Sequence, residues 1–182
     1  MTAGPPGEQE LVLRAQRGDA RAFEELVRPH WEVAFRVAYV VTRDAGEAED
    51  AAQEAFVDAW RALPRFRPGS ALRPWLLRIV ANRARNRRRA SGRRARLALR
   101  AAAEPAGTVQ SPTADETLLS AEERRRLLGV LDELPDEARL VLVCRYLLDL
   151  SEEETAAATG VRRGTVKSRT ARALDRLREL YV

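Results

Sequence analysis

The sequence is poor in the residues on which metalloproteins and many enzymes depend. Its 182 residues include one cysteine, Cys144, and one histidine, His30. A single cysteine cannot form an intramolecular disulfide, and one Cys with one His cannot complete a closed zinc site. Glycine-rich phosphate-binding motifs are also missing. We therefore predict that the chain is not an enzyme and has no metal, cofactor or small-molecule substrate.

Long apolar runs are missing as well. No stretch of about 18 apolar residues occurs, so we predict no membrane insertion. The polar, acidic start, MTAGPPGEQE, differs from a secretory signal, and a cytoplasmic protein is expected. Aromatic residues make up only 5% of the chain, whereas Ala, Leu, Val and Arg dominate. This composition favours helices over strands.

Charge is abundant but separated by sign. The formal net charge is +5, yet the stretch from Asp44 to Asp58 holds six acids and no base. Between Asp58 and Glu104 there are fourteen arginines and no acid. Such segregation indicates partners of opposite charge at adjacent places, and a polyanion such as DNA suits the arginine block.

Helical periodicity predicts an all-α protein with two small helical domains joined by a flexible linker. Residues 1–10 are a loose, Gly/Pro-rich N-terminus, and residues 11–90 form the first domain. Its last helix is predicted over residues 72–89, with Trp75 in the core; Trp60 is also assigned to the core. Residues 91–117 form a basic linker whose first half can be helical, and residues 118–182 form the second domain.

The end of the chain has the pattern of a helix-turn-helix. Ser151 and Glu154 have capping-box spacing, which predicts a helix from Glu152, and Gly160 is placed to end it in a left-handed conformation. A second helix is predicted to start at Arg163 or Gly164. Its buried stripe is Val166, Thr170, Ala173, Leu177 and Leu180. The other face carries short polar groups and guanidinium groups, as a helix in the major groove of DNA requires.

Two long segments resemble conserved regions of bacterial sigma factors. "EAEDAAQEAFVDAWRALPRFRPGSALRPWLLRIVANRARNRRR" resembles region 2, and "LDELPDEARLVLVCRYLLDLSEEETAAATGVRRGTVKSRTARALDRLRE" resembles region 4. The resemblance covers most of residues 11–179 and points to the small extracytoplasmic-function (ECF) group. It implies an alternative sigma factor that binds core RNA polymerase, directs it to specific promoters and promotes DNA melting. The implied partners are the β′ coiled coil and β flap of core polymerase, promoter DNA and, in some family members, an anti-sigma factor.

The resemblance also assigns candidate residues. An acid-rich helix face is expected to bind core polymerase; Asp50, Gln53 and Glu54 match the family's DxxQE, and the full set is Glu47, Asp50, Gln53, Glu54 and Asp58. A loop and helix are expected to bind the −10 element, with Asn82 placed for base readout. That set is Arg65, Phe66, Arg67, Ser70, Arg78, Asn82, Arg85 and Asn86.

The −35 element is expected to be read by the second helix of the helix-turn-helix. The candidates are Arg162, Arg163, Thr165, Lys167, Ser168, Arg169, Arg172 and Arg176. Arg162 and Arg163 replace the Pro-Glu of many relatives, and two cations at a helix N-terminus oppose the helix dipole unless a phosphate lies there. We interpret them as contacts to the DNA backbone. Because no residue follows Val182, no C-terminal extra domain is expected.

Two other interpretations stay open from the residues alone. An autonomous helix-turn-helix regulator would share the C-terminal pattern but leaves the acidic face unexplained. A basic RNA- or ribosome-binding protein would use the arginine block but gives no reason for a capped helix-turn-helix. The acidic face and the basic helix face could each also be merely solvated.

Overall fold

The described part of the chain is helical throughout. A computed structural model describes residues 7–101, 129–131 and 133–181. These residues contain helices, turns and loops but no strand, which confirms the all-α prediction. Among them, no helix is both long enough and apolar enough to cross a membrane. Most of the predicted linker and the predicted start of the second domain, residues 102–128, lie outside the described residues, as do residues 1–6.

The chain divides into two compact units, Met1–Ala102 and Ala103–Val182. The first contains α1 (Glu8–Gln16), α2 (Ala20–Val27), a 3₁₀ turn (Arg28–His30), α3 (Trp31–Thr42), α4 (Ala45–Ala62), a second 3₁₀ turn (Leu63–Arg65) and α5 (Leu72–Ala101). Aspartates begin two of these helices. The Asp19 carboxylate accepts from the Ala22 N–H at 3.0 Å, and Asp44 accepts from the Glu47 N–H at 2.8 Å.

The centre of the first unit is the packing of α3, α4 and α5. One face of α4 is a fully buried row of alanines: Ala48, Ala51, Ala52, Ala55 and Ala59. Because alanine side chains are short, the backbones of the neighbouring helices approach α4 closely. The larger core residues come from α3 and α5: Val37, Val41, Leu76, Leu77 and Val80 are also buried.

A second cluster joins α1 and α2 to the segment between α4 and α5. Val12 and Ala15 of α1 pack with Leu63 and Phe66 of that segment and with Leu72, the first residue of α5. Trp60 and Trp75 pack against the same cluster while staying partly exposed. Trp60 also makes an edge-to-face contact with Phe23, with ring centroids 5.0 Å apart. Both tryptophans therefore have the packing role that the sequence predicted.

Helix α5 continues into the first half of the predicted linker, which was expected to be able to form a helix. It passes the expected end at Arg89 and continues to Ala101. The extension begins at Ala90 and continues through Ser91 and Gly92, where loss of apolar periodicity predicted a linker. Arginine and alanine have high helix propensity, and this local preference extends the helix beyond its packed face. The apolar pattern marks where packing ends, whereas the helix itself ends later.

The second unit contains the predicted helix-turn-helix. Its elements include α6 (Asp136–Leu142), a wide π turn (Val143–Leu147), α7 (Glu152–Thr159) and α8 (Arg163–Tyr181). Leu140, Val141, Leu150 and Val166 are fully buried, and Cys144, at 1% exposure, is a core thiol as predicted. The buried Arg139 guanidinium donates to the carbonyls of Leu131 at 2.7 Å and Leu134 at 2.8 Å. These bonds satisfy a cation that would otherwise be costly to bury.

Candidate functional site

The acidic face of α4 is paired with arginines of α5. The Arg87 guanidinium donates to Glu47 at 2.7 Å, to Asp50 at 2.6 Å and to Glu54 at 2.7 Å. One turn earlier, the Nε of Arg83 donates to Asp58 at 2.8 Å, and its Nη1 lies 3.6 Å from Glu54. All four predicted carboxylates therefore lie on one face, as their spacing predicted. Arg83 and Arg87 of α5 are already bound to that face.

Pairing leaves the candidate residues unequally accessible. Asp50 and Glu54 keep 57% and 45% of their side-chain surface exposed, whereas Glu47 keeps 24% and Asp58 30%. Gln53 is exposed. The hydrogen bond that Arg87 donates to Glu47, followed by the charges of Glu47, Glu54 and Asp50, raises the pKa of Arg87 above its ordinary value. Asp50, Gln53 and Glu54 thus form the most accessible part of the face.

The loop between α4 and α5 presents cations around a buried ring. Arg65, Arg67 and Ser70 are exposed. Phe66 is only 6% exposed and packs on Trp75, with ring centroids 4.8 Å apart. The expectation that Phe66 binds DNA is therefore not met: where the chain leaves the 3₁₀ turn, Phe66 turns into the core while Arg65 and Arg67 stay exposed.

A tight turn shapes the rest of this loop. The Ser70 N–H donates to the Arg67 carbonyl at 3.1 Å, and Gly69 has φ of 83°. Pro68 and Gly69 therefore occupy the two central positions of a type II turn, the second of which requires positive φ. On α5, Arg78, Asn82 and Asn86 are exposed at successive turns of one face. Arg85 donates to the Asn82 side-chain carbonyl at 2.9 Å, which holds that amide in one orientation.

The helix-turn-helix is built as its capping signals predicted. The Glu154 N–H donates to Ser151 Oγ at 3.1 Å, and the Ser151 N–H donates to Glu154 Oε2 at 2.8 Å. Gly160 ends α7 with φ of 76°, and α8 begins at Arg163. Val166 and Ala173 bury the inner face of α8. Exposed on its outer face are Arg162, Arg163, Lys167, Ser168, Arg172 and Arg176.

Three arginines of this surface are paired with acids of the same unit, and one of them, Arg176, donates to Glu179 at 2.9 Å. Arg163 donates to Glu152 at 2.9 Å and lies 2.7 Å from Glu153. The bond from Arg163 lowers the pKa of Glu152, and Arg163 has a raised pKa for the same reason. Glu152 and Glu153 thus offset the positive charge of Arg163 at the start of α8, a role that the sequence had led us to assign to a DNA phosphate. Arg169, which is 27% exposed, lies 2.5 Å from Glu137.

Sequence reasoning missed Arg83, Arg87 and Gln16, whose partners are distant in the chain. Arg83 and Arg87 are four residues apart on α5, and their partners on α4 have matching one-turn spacing in reverse order. That match is a signal for two antiparallel helices. The Gln16 side chain bonds to backbone carbonyls, and no sequence pattern predicts such a contact.

Two sequence families match this chain in order. The family described as Sigma-70 region 2 matches residues 26–94, and Sigma-70 region 4 matches residues 130–179. The ECF RNA polymerase sigma-E factor of Escherichia coli K12 is 38% identical over 176 residues, which are 92% of this chain and 91% of that protein. The RNA polymerase sigma-H factor of Pseudomonas aeruginosa is 37% identical over 177 residues, 92% of this chain and 90% of that protein.

Solved structures have the same fold. CnrH, solved in complex with the cytosolic domain of CnrY, aligns with a TM-score of 0.70 and 28% identity over 96% of this chain and 97% of that chain. The sigma factor RpoE of Bartonella quintana, solved with the anti-sigma factor NepR, aligns with a TM-score of 0.72 and 24% identity. That alignment covers 89% of this chain and 98% of RpoE.

Proposed function

The chain belongs to the ECF group of the sigma-70 family, and we propose that the acidic face of α4 is its docking site on core RNA polymerase. It is an alternative sigma factor that directs polymerase to specific promoters. The observation that carries this function is the match of both sigma regions, in order, at residues 26–94 and 130–179. We assign residues 11–90 to region 2, 91–117 to a linker and 118–182 to region 4.

The docking proposal rests on accessibility and charge. Asp50, Gln53 and Glu54 are the most exposed members of the predicted set, and they are neighbours on one helix face. Glu47 and Asp58 are more covered by Arg87 and Arg83 and contribute mainly to the negative potential of the face. A cationic surface of the β′ coiled coil is the complementary partner.

Promoter melting is assigned to the loop at residues 65–70 and to α5. Arg65, Arg67 and Arg78 provide exposed cations for the phosphates of the separated strands. Asn82 and Asn86 provide amide groups that can hydrogen-bond to an unstacked base, and Arg85 holds the Asn82 amide in place. The protein does not change a covalent bond in this mechanism; it holds one strand and so favours the open state.

The −35 element is assigned to α8. Its exposed polar and cationic side chains lie near the N-terminal half of the helix, the part of a recognition helix that contacts base edges. Arg162, Lys167 and Arg172 are exposed candidates for phosphate or base contacts. Arg163 and Arg169 must exchange their acidic partners for DNA, so their net contribution to affinity is smaller than that of an arginine without such a partner.

The remaining assignments follow from this role. We assign no enzymatic activity to the chain and place it in the cytoplasm, where bacterial polymerase acts. The β flap is a second proposed polymerase contact, through region 4. An anti-sigma factor is a proposed regulator, and the similar RpoE of Bartonella quintana was solved with one.

The test is transcription from a genomic promoter library by purified core polymerase, with and without the full-length chain. Gln53→Arg places a cation on the acidic face without removing a partner of Arg87, whereas Asp50→Arg would remove one. Gln9→Arg adds the same charge at an exposed position of α1 and is the matched control for core binding. We expect start sites that share a −35/−10 pair, lost with Gln53→Arg and kept with Gln9→Arg.

The alternative function predicts a different result. An autonomous helix-turn-helix regulator would bind specific duplex DNA without polymerase at moderate salt, and core polymerase would gain no new start sites from it. If Gln53→Arg bound core polymerase as tightly as the wild type, the docking face would be assigned wrongly even where the start sites appeared.

A further inference from the structure

A glutamine at the end of α1 bonds to the segment that leads into the promoter-melting loop. The Gln16 side-chain amide donates to the carbonyl of Leu63 at 2.9 Å and to the carbonyl of Phe66 at 2.7 Å. The amide nitrogen of glutamine has two N–H donors, so one side chain satisfies both carbonyls. The partners lie 47 and 50 residues away in the chain, and the contacts are partly buried.

These carbonyls lie where the chain leaves α4. The Leu63 carbonyl also accepts from the Phe66 N–H at 2.9 Å, so it has two donors, and the Phe66 carbonyl lies just beyond the 3₁₀ turn. After the 3₁₀ turn at Leu63–Arg65, Phe66 adopts an extended conformation with ψ of 130°. Gln16 therefore bonds to both ends of this short turn. Arg65 and Arg67 are the residues on either side of Phe66.

Helix α1 supports the loop at further points. Val12 and Ala15 pack against Leu63 and Phe66 in the same apolar cluster. At the other end of the loop, a Cβ on Gly69 would lie 4.0 Å from the Gln9 side-chain nitrogen. Helix α1 lies before residue 26, where the match to Sigma-70 region 2 begins. The family match therefore does not assign α1 a part in promoter recognition.

We propose that Gln16 is a positioning residue for −10 recognition, acting through the Leu63 and Phe66 carbonyls on the loop at residues 65–70. The inference rests on the proposed function, because it presumes that this loop contacts the melted strand. Gln16 does not touch DNA in this proposal. It fixes the direction in which the chain leaves α4 and so sets where the exposed groups of the loop meet an unstacked base.

The test separates positioning from stability with two substitutions of Gln16. Gln16→Met keeps the length of the side chain but removes both N–H donors. Gln16→Lys restores donors, at a helix end where a cation is favoured. Leu13→Met, at an exposed position of the same helix, introduces the same side chain and is the matched control. Each full-length variant is combined with core polymerase, and the wild-type chain first identifies the promoters.

The readout is the ratio of initiation on an intact promoter to initiation on the same promoter with one −10 base substituted. For Gln16→Met we expect this ratio to fall by about threefold or more, since loss of an ordinary hydrogen bond changes an equilibrium by about that factor. Gln16→Lys and Leu13→Met should keep the wild-type ratio. A variant that is merely less folded lowers initiation on both templates equally and leaves the ratio unchanged.

An unchanged ratio for Gln16→Met would overturn the positioning role, whether or not its thermal midpoint falls. A fall in the ratio for Leu13→Met equal to that for Gln16→Met would also overturn it, because the effect would not depend on the bonded amide. If the wild-type chain directed no polymerase-dependent start sites, the proposed function would fail and the positioning role with it. These results are distinguishable, because only the last one appears with the wild-type protein.

Discussion

Replacing Arg87 with methionine tests whether the paired arginines of α5 hold the first unit together. Methionine keeps much of the aliphatic stem of arginine and removes the guanidinium group. Three carboxylates then lose their shared cation: Glu47, Asp50 and Glu54, bonded at 2.7, 2.6 and 2.7 Å. They are left close together on one face, where like charges repel each other.

The size of the effect follows from exposure. Asp50 and Glu54 are about half exposed, and such pairs contribute roughly 0.5 kcal/mol each. Glu47 is 24% exposed and Arg87 22%, so their charge-assisted bond contributes about 1.5–2 kcal/mol. We therefore expect Arg87→Met to lower the free energy of unfolding of the first unit by about 2–3 kcal/mol. For a unit of this size, that corresponds to a Tm lower by about 10–20 °C.

The assay is thermal unfolding of the full chain followed by tryptophan fluorescence. All three tryptophans, Trp31, Trp60 and Trp75, belong to the first unit, so the signal reports on that unit. Arg89→Met, at an exposed position of the same helix, is the matched control and should change Tm by only a degree or two. If Arg87→Met behaved like Arg89→Met, the four side chains would be a screened surface network and the reasoning would be refuted.

Three further predictions concern a turn, a pH dependence and a DNA contact. Gly160→Ala should destabilise the second unit by about 1 kcal/mol, because φ is 76° there. Gly164→Ala, at a helical position with open space where a Cβ would lie, should be neutral or stabilising by up to about 1 kcal/mol. The rate at which the buried Cys144 thiol reacts with a thiol reagent measures both effects. Burial, and then the charge of Arg73, lowers the pKa of His30, so the native state binds fewer protons than the unfolded state and stability falls as pH drops below about 6.5. The urea midpoint of His30→Gln should fall less between pH 7.5 and 5.5 than that of the wild type, and an equal fall in both proteins would contradict this. Glu137→Gln removes the acid beside Arg169 and frees that guanidinium to displace a counterion from a phosphate, so −35-dependent initiation should become more sensitive to salt. An unchanged salt response would mean that Arg169 does not reach DNA.

Local rules predicted the helix-turn-helix correctly because its signals lie within a few residues of their effects. A capping box needs only Ser151 and Glu154, and a left-handed helix end needs only a glycine at Gly160. The buried stripe of α8 follows from the helical period, and Val166 and Ala173 are buried as that period predicts. The assignment of side chains to DNA or polymerase depends on the resemblance and stays a prediction.

Other features could not be predicted because they depend on which distant segments meet. The spacing of Arg65, Phe66 and Arg67 does not reveal that the middle residue of the three turns into the core against Trp75. The bonds of Gln16 depend on the packing of α1 beneath the loop. The pairing of Arg163 with Glu152 depends on the angle between α7 and α8, which the cap and the glycine fix jointly. In each case the sequence shows the residue type but does not show which residue it contacts.

The internal pairing of the acidic face also constrains what can bind there. A single partner cation near Glu47 must compete with Arg87, which already makes a bond to that carboxylate from a half-buried position. Such an exchange gains little, because one charge-assisted bond replaces another. Around Gln53 the situation differs, since Asp50 and Glu54 each keep about half of their surface exposed and can accept further donors. We therefore expect affinity for polymerase to depend most on the centre of the face, and substitutions at Glu47 to act mainly through the fold. Comparing Glu47→Gln with Gln53→Arg in both core binding and Tm tests this: equal losses of core binding without a change in Tm would show that the whole face, including its covered end, contacts the partner directly.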